Sequence, residues 1–219
     1  MPRDGTATRT KLLDAAQRLV LDRGFAATSV DAVLAEAGVT KGAFFHHFRS
    51  KHALGRALLE RYAAADAHTL DSFMAEAERV ADDPAEQVVA FARLFEVAAG
   101  DLPQLQPGCL FVSFIYEREL TGEDSDALIA HSIGLWRARL LAKLEAASRT
   151  HPPAAEVDLP SLADQVFTIF EGGFVLARAT KDATALRAQL THLRQYLELL
   201  FGVQAPEAAD EVDSAALIA

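Results

Sequence analysis

The stretch Thr28 to Lys51, TSVDAVLAEAGVTKGAFFHHFRSK, constrains the fold more than any other part of the chain. Val30, Val33, Leu34 and Ala37 recur at helical spacing and form one apolar face. Thr28 stands where an N-cap is needed, with Asp31 three residues on, a capping-box variant that satisfies otherwise unpaired backbone N–H groups. Gly38 follows the last apolar position, and a left-handed glycine ends a helix without a Cβ penalty. Thr40 is then placed to cap a second helix. Two short helices across a tight turn make a helix-turn-helix, whose second helix lies in the major groove with its N-terminal residues toward base edges. That helix opens Thr40-Lys41-Gly42-Ala43, small or cationic residues that let the backbone approach a duplex closely. Ser50 caps the next helix. Lys51 in its first turn opposes the helix dipole, so a phosphate is its natural partner.

The run from Gly38 to Lys51, G-V-T-K-G-A-F-F-H-H-F-x-S-K, closely resembles the DNA-binding domain of the TetR/AcrR family of bacterial transcriptional regulators. The resemblance covers residues 9 to 55. It implies an all-α protein, with an N-terminal helix-turn-helix DNA-binding domain over 1–51 and a C-terminal helical ligand-binding and dimerisation domain over 52–202. It further implies phosphate contacts from Thr28, His46 and Lys51, and groove contacts from Thr40, Lys41, Gly42, Ala43 and Phe45. The family commonly carries Tyr where this chain has Phe45, so the phenolic hydroxyl that would reach a phosphate is missing.

A net charge of -10 argues against a nucleic-acid binder until its distribution is considered. Residues 1–51 carry 8 Lys or Arg against 5 Asp or Glu, and the remainder 13 against 26, so the cationic face is confined to the N-terminal domain. Half of the 219 residues are apolar, with only 12 Gly and 8 Pro, a composition that favours helices and a sizeable core. No run of 18 apolar residues occurs and the N-terminus lacks a signal-peptide core, so a soluble, cytoplasmic protein with no membrane partner is expected. The single cysteine excludes an internal disulfide framework.

Residues 1–8 read as a mobile arm, and Arg9 to Arg23 as the first helix. Beyond the head, helical spacing predicts helices over Ser50–Arg79, Pro84–Ala99, Cys109–Leu120, 121–148, Pro160–Ala177 and Asp182–Phe201. The segment 100–108, with Pro103 and Pro107, reads as a loop, and the acidic, Ala-rich residues 203–219 as a disordered tail. The last helix carries Leu186, Leu190, Leu193, Leu197 and Leu200 as a sustained stripe. With the stripe from Leu162 to Phe174 it exceeds what one domain face needs, which predicts a homodimer through a four-helix interface.

No P-loop, GxSxG or GxGxxG occurs, and His46, His47 and His52 belong to the DNA-binding reading, so neither an enzyme nor a cofactor is expected. Core packing is the better account of any single aromatic residue of the body. A regulator of this kind nevertheless needs a pocket, and the resemblance implies one walled by the middle helices, for which Phe91, Phe95, Cys109, Ser113, Tyr116, Trp136 and Phe170 are the candidates. Cys109 stands at a helix start, where the dipole lowers a thiol pKa. Gly-Cys-Leu with Glu117 eight residues after the cysteine is similar to a branch of the family that includes electrophile- and oxidant-sensing repressors. A thiol-reactive electrophile is therefore one candidate effector, and a buried, inert cysteine is the alternative. The expected function is a ligand-responsive transcriptional repressor, bound as a homodimer to a palindromic operator in double-stranded DNA. The alternatives are an activator, or a helical ligand-binding protein or enzyme with a degenerate helix-turn-helix.

Overall fold

A computed structural model describes residues 5–101, 108–117, 123–213 and Leu217. The chain forms helices α1 (Gly5–Arg23), α2 (Val30–Ala37), α3 (Lys41–His47), α4 (Lys51–Val80), α5 (Pro84–Asp101), α6 (Leu110–Ile115), α7 (Glu123–Thr150), α8 (Leu159–Thr180) and α9 (Ala185–Phe201), and no strand occurs among the described residues. None of the helices among these residues is long and apolar enough to cross a membrane. By packing, the chain divides into one unit of residues 1–65 with 108–132 and another of 66–107 with 133–219, a different cut from the division by role after residue 51.

In the first unit α1, α2 and α3 close around Leu12, Leu13, Ala16, Val20, Val33, Phe44 and Phe48, all buried. The turn from α2 to α3 follows from two residues. Gly38 adopts a left-handed backbone at φ 64°, and Val39 donates its N–H back to the Leu34 carbonyl at 3.1 Å. Thr40 then caps α3 by accepting from the Ala43 N–H at 3.3 Å. The cap of α2 is Ser29, whose hydroxyl accepts from the Ala32 N–H, and this corrects the expectation that Thr28 fills that place. Thr28 instead turns inward and donates its hydroxyl to the Gly24 carbonyl at 2.8 Å. Both residues are good caps; the register of α2 against the core chose the one that leaves Val33 buried.

The second unit is built on α5, which packs against α9 and, through Phe73 and Met74, against the second half of α4. Phe73 stacks on Phe95 with ring centroids 3.8 Å apart. The leucine stripe of α9 is not a free face: Leu186, Leu190, Leu193, Leu197 and Leu200 are each at most 4% exposed within this unit's own core. The stripe expected to pair two chains is thus consumed by α5 and α8 of the same chain, because α5 is apolar around most of its circumference and leaves no side for solvent. Crossing that interface, the Glu96 carboxylate accepts from Arg194 at 2.7 Å and from the Thr191 hydroxyl at 2.9 Å, and pairs with Arg93 at 2.8 Å. Burial works to raise the Glu96 pKa, but the bonds from Arg194, Thr191 and Arg93 together hold it below the usual carboxylate range.

Several boundaries differ from those expected. α1 begins at Gly5, so residues 5–8 of the expected arm are helical, and residues 1–4 lie outside the described residues. α6 ends at Ile115, with Tyr116 and Glu117 in a turn; residues 118–120 and the loop positions 102–107 lie outside the described residues. Residues 203–213, expected to be disordered, dock on the second unit. Glu207–Asp210 form one 3-10 turn, Ala209 is fully buried, and Asp210 pairs with Arg93 at 2.5 Å. Val203, Ala205, Ala209 and Val212 supply an apolar face that an acidic composition concealed.

Replacing Glu96 by Ala removes one of two carboxylate partners from each of Arg93 and Arg194, which keep Asp210 and Glu198, and should cost about 1.5 to 3 kcal/mol in chemical denaturation at neutral pH. Because the folded state depresses the Glu96 pKa, its contribution is present above the ordinary carboxylate range and lost as the pH falls through the folded value. The gap between the wild type and Glu96→Ala should therefore narrow in acid.

Candidate nucleic-acid interface and ligand site

α3 divides into a core side and a solvent side. Phe44 and Phe48 are buried, while Thr40, Lys41, Gly42, Phe45 and His46 are exposed and Ala43 is partly so. Phe45 is 50% exposed and meets Phe44 edge to face at 5.2 Å, so its ring is supported from beneath rather than free to fold away. A Cβ built on Gly42 would meet nothing within 4 Å, so the space above that residue is open for a close-approaching surface. Lys41 forms no ion pair among the described residues, nor does the exposed Arg49 just beyond α3. Arg49 did not stand out in the sequence; its signal was a cation two residues before the Lys51 that drew attention instead.

Two of the expected phosphate ligands are engaged within the chain. Thr28 is 3% exposed, with its hydroxyl on the Gly24 carbonyl. The Lys51 ammonium donates to the Ala26 carbonyl at 3.0 Å and lies 4.5 Å from the centroid of the Phe25 ring. Burial lowers its pKa from the usual lysine range, and the charge of Glu117 opposes that shift. Glu117 accepts from the Ala26 N–H at 2.6 Å, so one backbone residue of the loop before α2 is held at both its N–H and its C=O. Phe25 packs beside Phe114 of α6 at 5.0 Å. Glu117, noted in the sequence only for its spacing from Cys109, is thus part of the head.

The ligand candidates fall into two groups. Phe91, Phe95, Trp136 and Phe170 lie together in the second unit, with Trp136 5.8 Å from Phe95 and 6.4 Å from Phe91, and Phe95 5.1 Å from Phe170. Cys109, Ser113 and Tyr116 belong to the first unit. Tyr116 is 85% exposed, and the Ser113 hydroxyl is bonded to the Cys109 carbonyl. Cys109 is the N-cap residue of α6 rather than a first-turn residue; it is buried, and the Tyr62 hydroxyl lies 3.9 Å from its sulfur. Between α4, α5, α7, α8 and α9 a cavity of about 30 Å³ is lined by apolar side chains, among them Phe91, Leu140 and Leu197, with Gln87 and Lys143 also on its wall. That volume suits a water molecule and is well below the roughly 150 Å³ of cavities that take a benzene ring.

Asp66, which the sequence did not single out, sits beside the aromatic group and accepts from the Trp136 indole N–H at 2.7 Å. Its desolvation raises the carboxyl pKa, and the indole bond only partly offsets that. No cluster of His, Cys, Asp or Glu among the described residues could hold a metal ion.

Residues 12–58 match the family of bacterial regulatory proteins, tetR family, and residues 84–193 match the tetracyclin repressor-like C-terminal domain. The chain is 25% identical over 175 residues to the transcriptional regulator AcuR of Cereibacter sphaeroides, spanning 80% of this chain and 78% of that one. It is 48% identical over 58 residues to the HTH-type transcriptional repressor NemR of Escherichia coli K12, which spans 26% of this chain and 29% of NemR. Among solved structures, a TetR transcriptional regulator from Chloroflexus aurantiacus superposes with a TM-score of 0.74 at 25% identity, covering 90% of this chain and 98% of that one.

Lys41→Ala should leave the melting temperature unchanged and lower the slope of log affinity for DNA against log salt by about 1 per protomer. Lys51→Ala should instead lower the melting temperature, since it releases the Ala26 carbonyl and the Phe25 ring. A second prediction concerns Asp66. A raised carboxyl pKa means that the folded state holds the proton more tightly, so the group stabilises the fold below the ordinary carboxylate range and loses that contribution as the pH rises. Asp66→Asn keeps an acceptor for Trp136 and should raise the melting temperature at neutral pH but not in acid.

Proposed function

The chain belongs to the tetR family of bacterial regulatory proteins and is a DNA-binding transcriptional regulator, and on that premise we propose that it is a homodimeric repressor released from its operator by a small-molecule effector. The observation that carries the DNA side is the exposed first turn of α3: Thr40, Lys41 and Gly42 in the open, with the bulky Phe44 turned into the core. Small residues and an uncommitted cation at the start of a recognition helix suit direct entry into the major groove. Phosphate contacts are assigned to Lys41, Arg49 and His46 in preference to Thr28 and Lys51, whose polar groups are bonded within the chain. Repression, rather than activation, follows the E. coli NemR relative, whose similarity is concentrated in this head.

The homodimer is assigned to the outer faces of α8 and α9. With the leucine stripe used inside the chain, those helices still expose Val175 at 67%, Leu176 at 45%, Tyr196 at 40% and Leu199 at 77%. Large apolar side chains exposed on two neighbouring helices fit a second copy related by a two-fold axis, which buries all four twice. Effector release acts by differential affinity, the ligand favouring one conformation of the second unit over another. α4 is one unbroken helix whose residues 51–65 lie in the first unit and 66–80 in the second, which makes it the natural carrier of that change.

Sedimentation and gel shifts on the DNA upstream of the protein's own coding region test the assignment together. The wild type should sediment as a dimer and retard a palindromic fragment, and Leu199→Asp with Val175→Asp should give a folded monomer with at least about 10-fold weaker retardation, because two half-site energies no longer act through one particle. A folded double variant that remains dimeric would place the interface elsewhere.

A further inference from the structure

In the second unit the Asp66 carboxylate has no cationic partner among the described residues. Asp66 is partly buried on α4, and among the described residues its one partner is the indole N–H of Trp136, bonded to Oδ2 at 2.7 Å. Three cations that share α7 with Trp136 are committed elsewhere: Arg137 to Asp164, Arg139 to Asp71 at 2.9 Å, and Lys143 to Glu78 at 2.6 Å. Asp66 has a neutral donor instead, and among the described residues Oδ1 accepts no hydrogen bond. Beside the carboxylate stands the aromatic group described above, with Trp136, Phe170 and Phe174 only partly buried and Phe91 and Phe95 behind them.

Aromatic faces and a carboxylate without a cationic partner both attract positive charge. Ring quadrupoles attract a cation placed within about 6 Å of a centroid, Trp most strongly, and the attraction grows where water is displaced. A neutral apolar ligand would gain from the rings but leave the carboxylate desolvated, and an anion would meet repulsion from both. We propose that the Asp66–Trp136 pair and the surrounding rings form the effector site, and that the effector is an organic cation with an aromatic or aliphatic body, such as a quaternary or protonated amine. This rests on the effector-responsive reading and gives it a ligand class, distinct from the attack of an electrophile on Cys109. The ammonium faces Oδ1 of Asp66 and the Trp136 face, while the apolar body replaces solvent over Phe170 and Phe174.

Trp136 is the single tryptophan of the chain, so its emission reports the site directly. The full-length protein, without DNA, is titrated with benzyltrimethylammonium and with its uncharged isostere neopentylbenzene. The cation should change Trp136 emission saturably and bind at least about 10-fold more tightly than the isostere, a difference that Asp66→Asn should erase while leaving the melting temperature as high or higher. Equal binding of the two, stronger binding of the isostere, no saturable response to the cation, or unchanged discrimination in Asp66→Asn would each overturn the assignment. The comparison within the wild-type protein requires no variant to fold. A gel shift with the cation then separates the two levels of the argument. Cation-selective binding that leaves DNA bound keeps the site and removes its regulatory role, whereas release of DNA by a ligand that ignores Asp66 keeps the regulator and removes this site.

Discussion

The left-handed backbone at Gly38 is the constraint on which the head depends. A residue with a Cβ at φ 64° is disfavoured, and any other conformation would send the chain away before Thr40 could cap α3. With the turn in place, Phe44 and Phe48 are carried into the core of α1 and α2. The side of α3 opposite them must then face outward. Exposure of Thr40, Lys41, Gly42 and Phe45 is thus a consequence of where two phenylalanines are buried, and the proposed DNA-facing surface needs no separate device to hold it open.

The same head shows why charge and position do not by themselves assign a role. Lys41 and Lys51 are both lysines in the first turn of a helix. The Lys51 side chain reaches a backbone carbonyl and an aromatic face, both of which accept a cation, and it trades some solvation for those contacts. Lys41 finds no such partners, so its charge remains in solvent. Glu117 completes the arrangement around Ala26 from a position ninety-one residues along the chain. Loops before recognition helices carry unsatisfied backbone groups, and here a carboxylate and an ammonium each take one.

In the second unit the buried charges are of two kinds. Glu96 lies in a hydrophobic interface yet is surrounded by Arg93, Arg194 and Thr191, so its desolvation is compensated and it joins α5 to α9 in one register. Asp66 receives one neutral donor and remains under-compensated. Evolved cores tolerate such a group where it has a use, and the contrast between the two carboxylates is what the proposed effector site rests on. Aromatic packing alone would not have made that distinction, since Phe73, Phe91 and Phe95 pack on one another as any core would.

Local sequence was sufficient for the helices and for the head. Helical spacing of apolar residues, a glycine after α2 and hydroxyl residues before α3 and α4 act over a few positions, and their physical effect is complete once those neighbours are known. The all-α fold and the family were therefore legible from Thr28 to Lys51 and from the periodicity beyond. What each face packs against was not. The α9 leucines could equally have met a second chain, and only the presence of an apolar α5 beside them made them core. Ser29 rather than Thr28 became the cap because burial of Val33 set the register, and residues 203–213 docked because an apolar face existed to receive Ala209. Lys51 with Ala26, Asp66 with Trp136 and Glu96 with Arg194 are pairs separated by twenty-five to ninety-eight residues. Such partnerships depend on distances in space that no short-range pattern encodes, and it is tertiary packing that decided which charges are spent inside the protein and which remain available to DNA or a ligand.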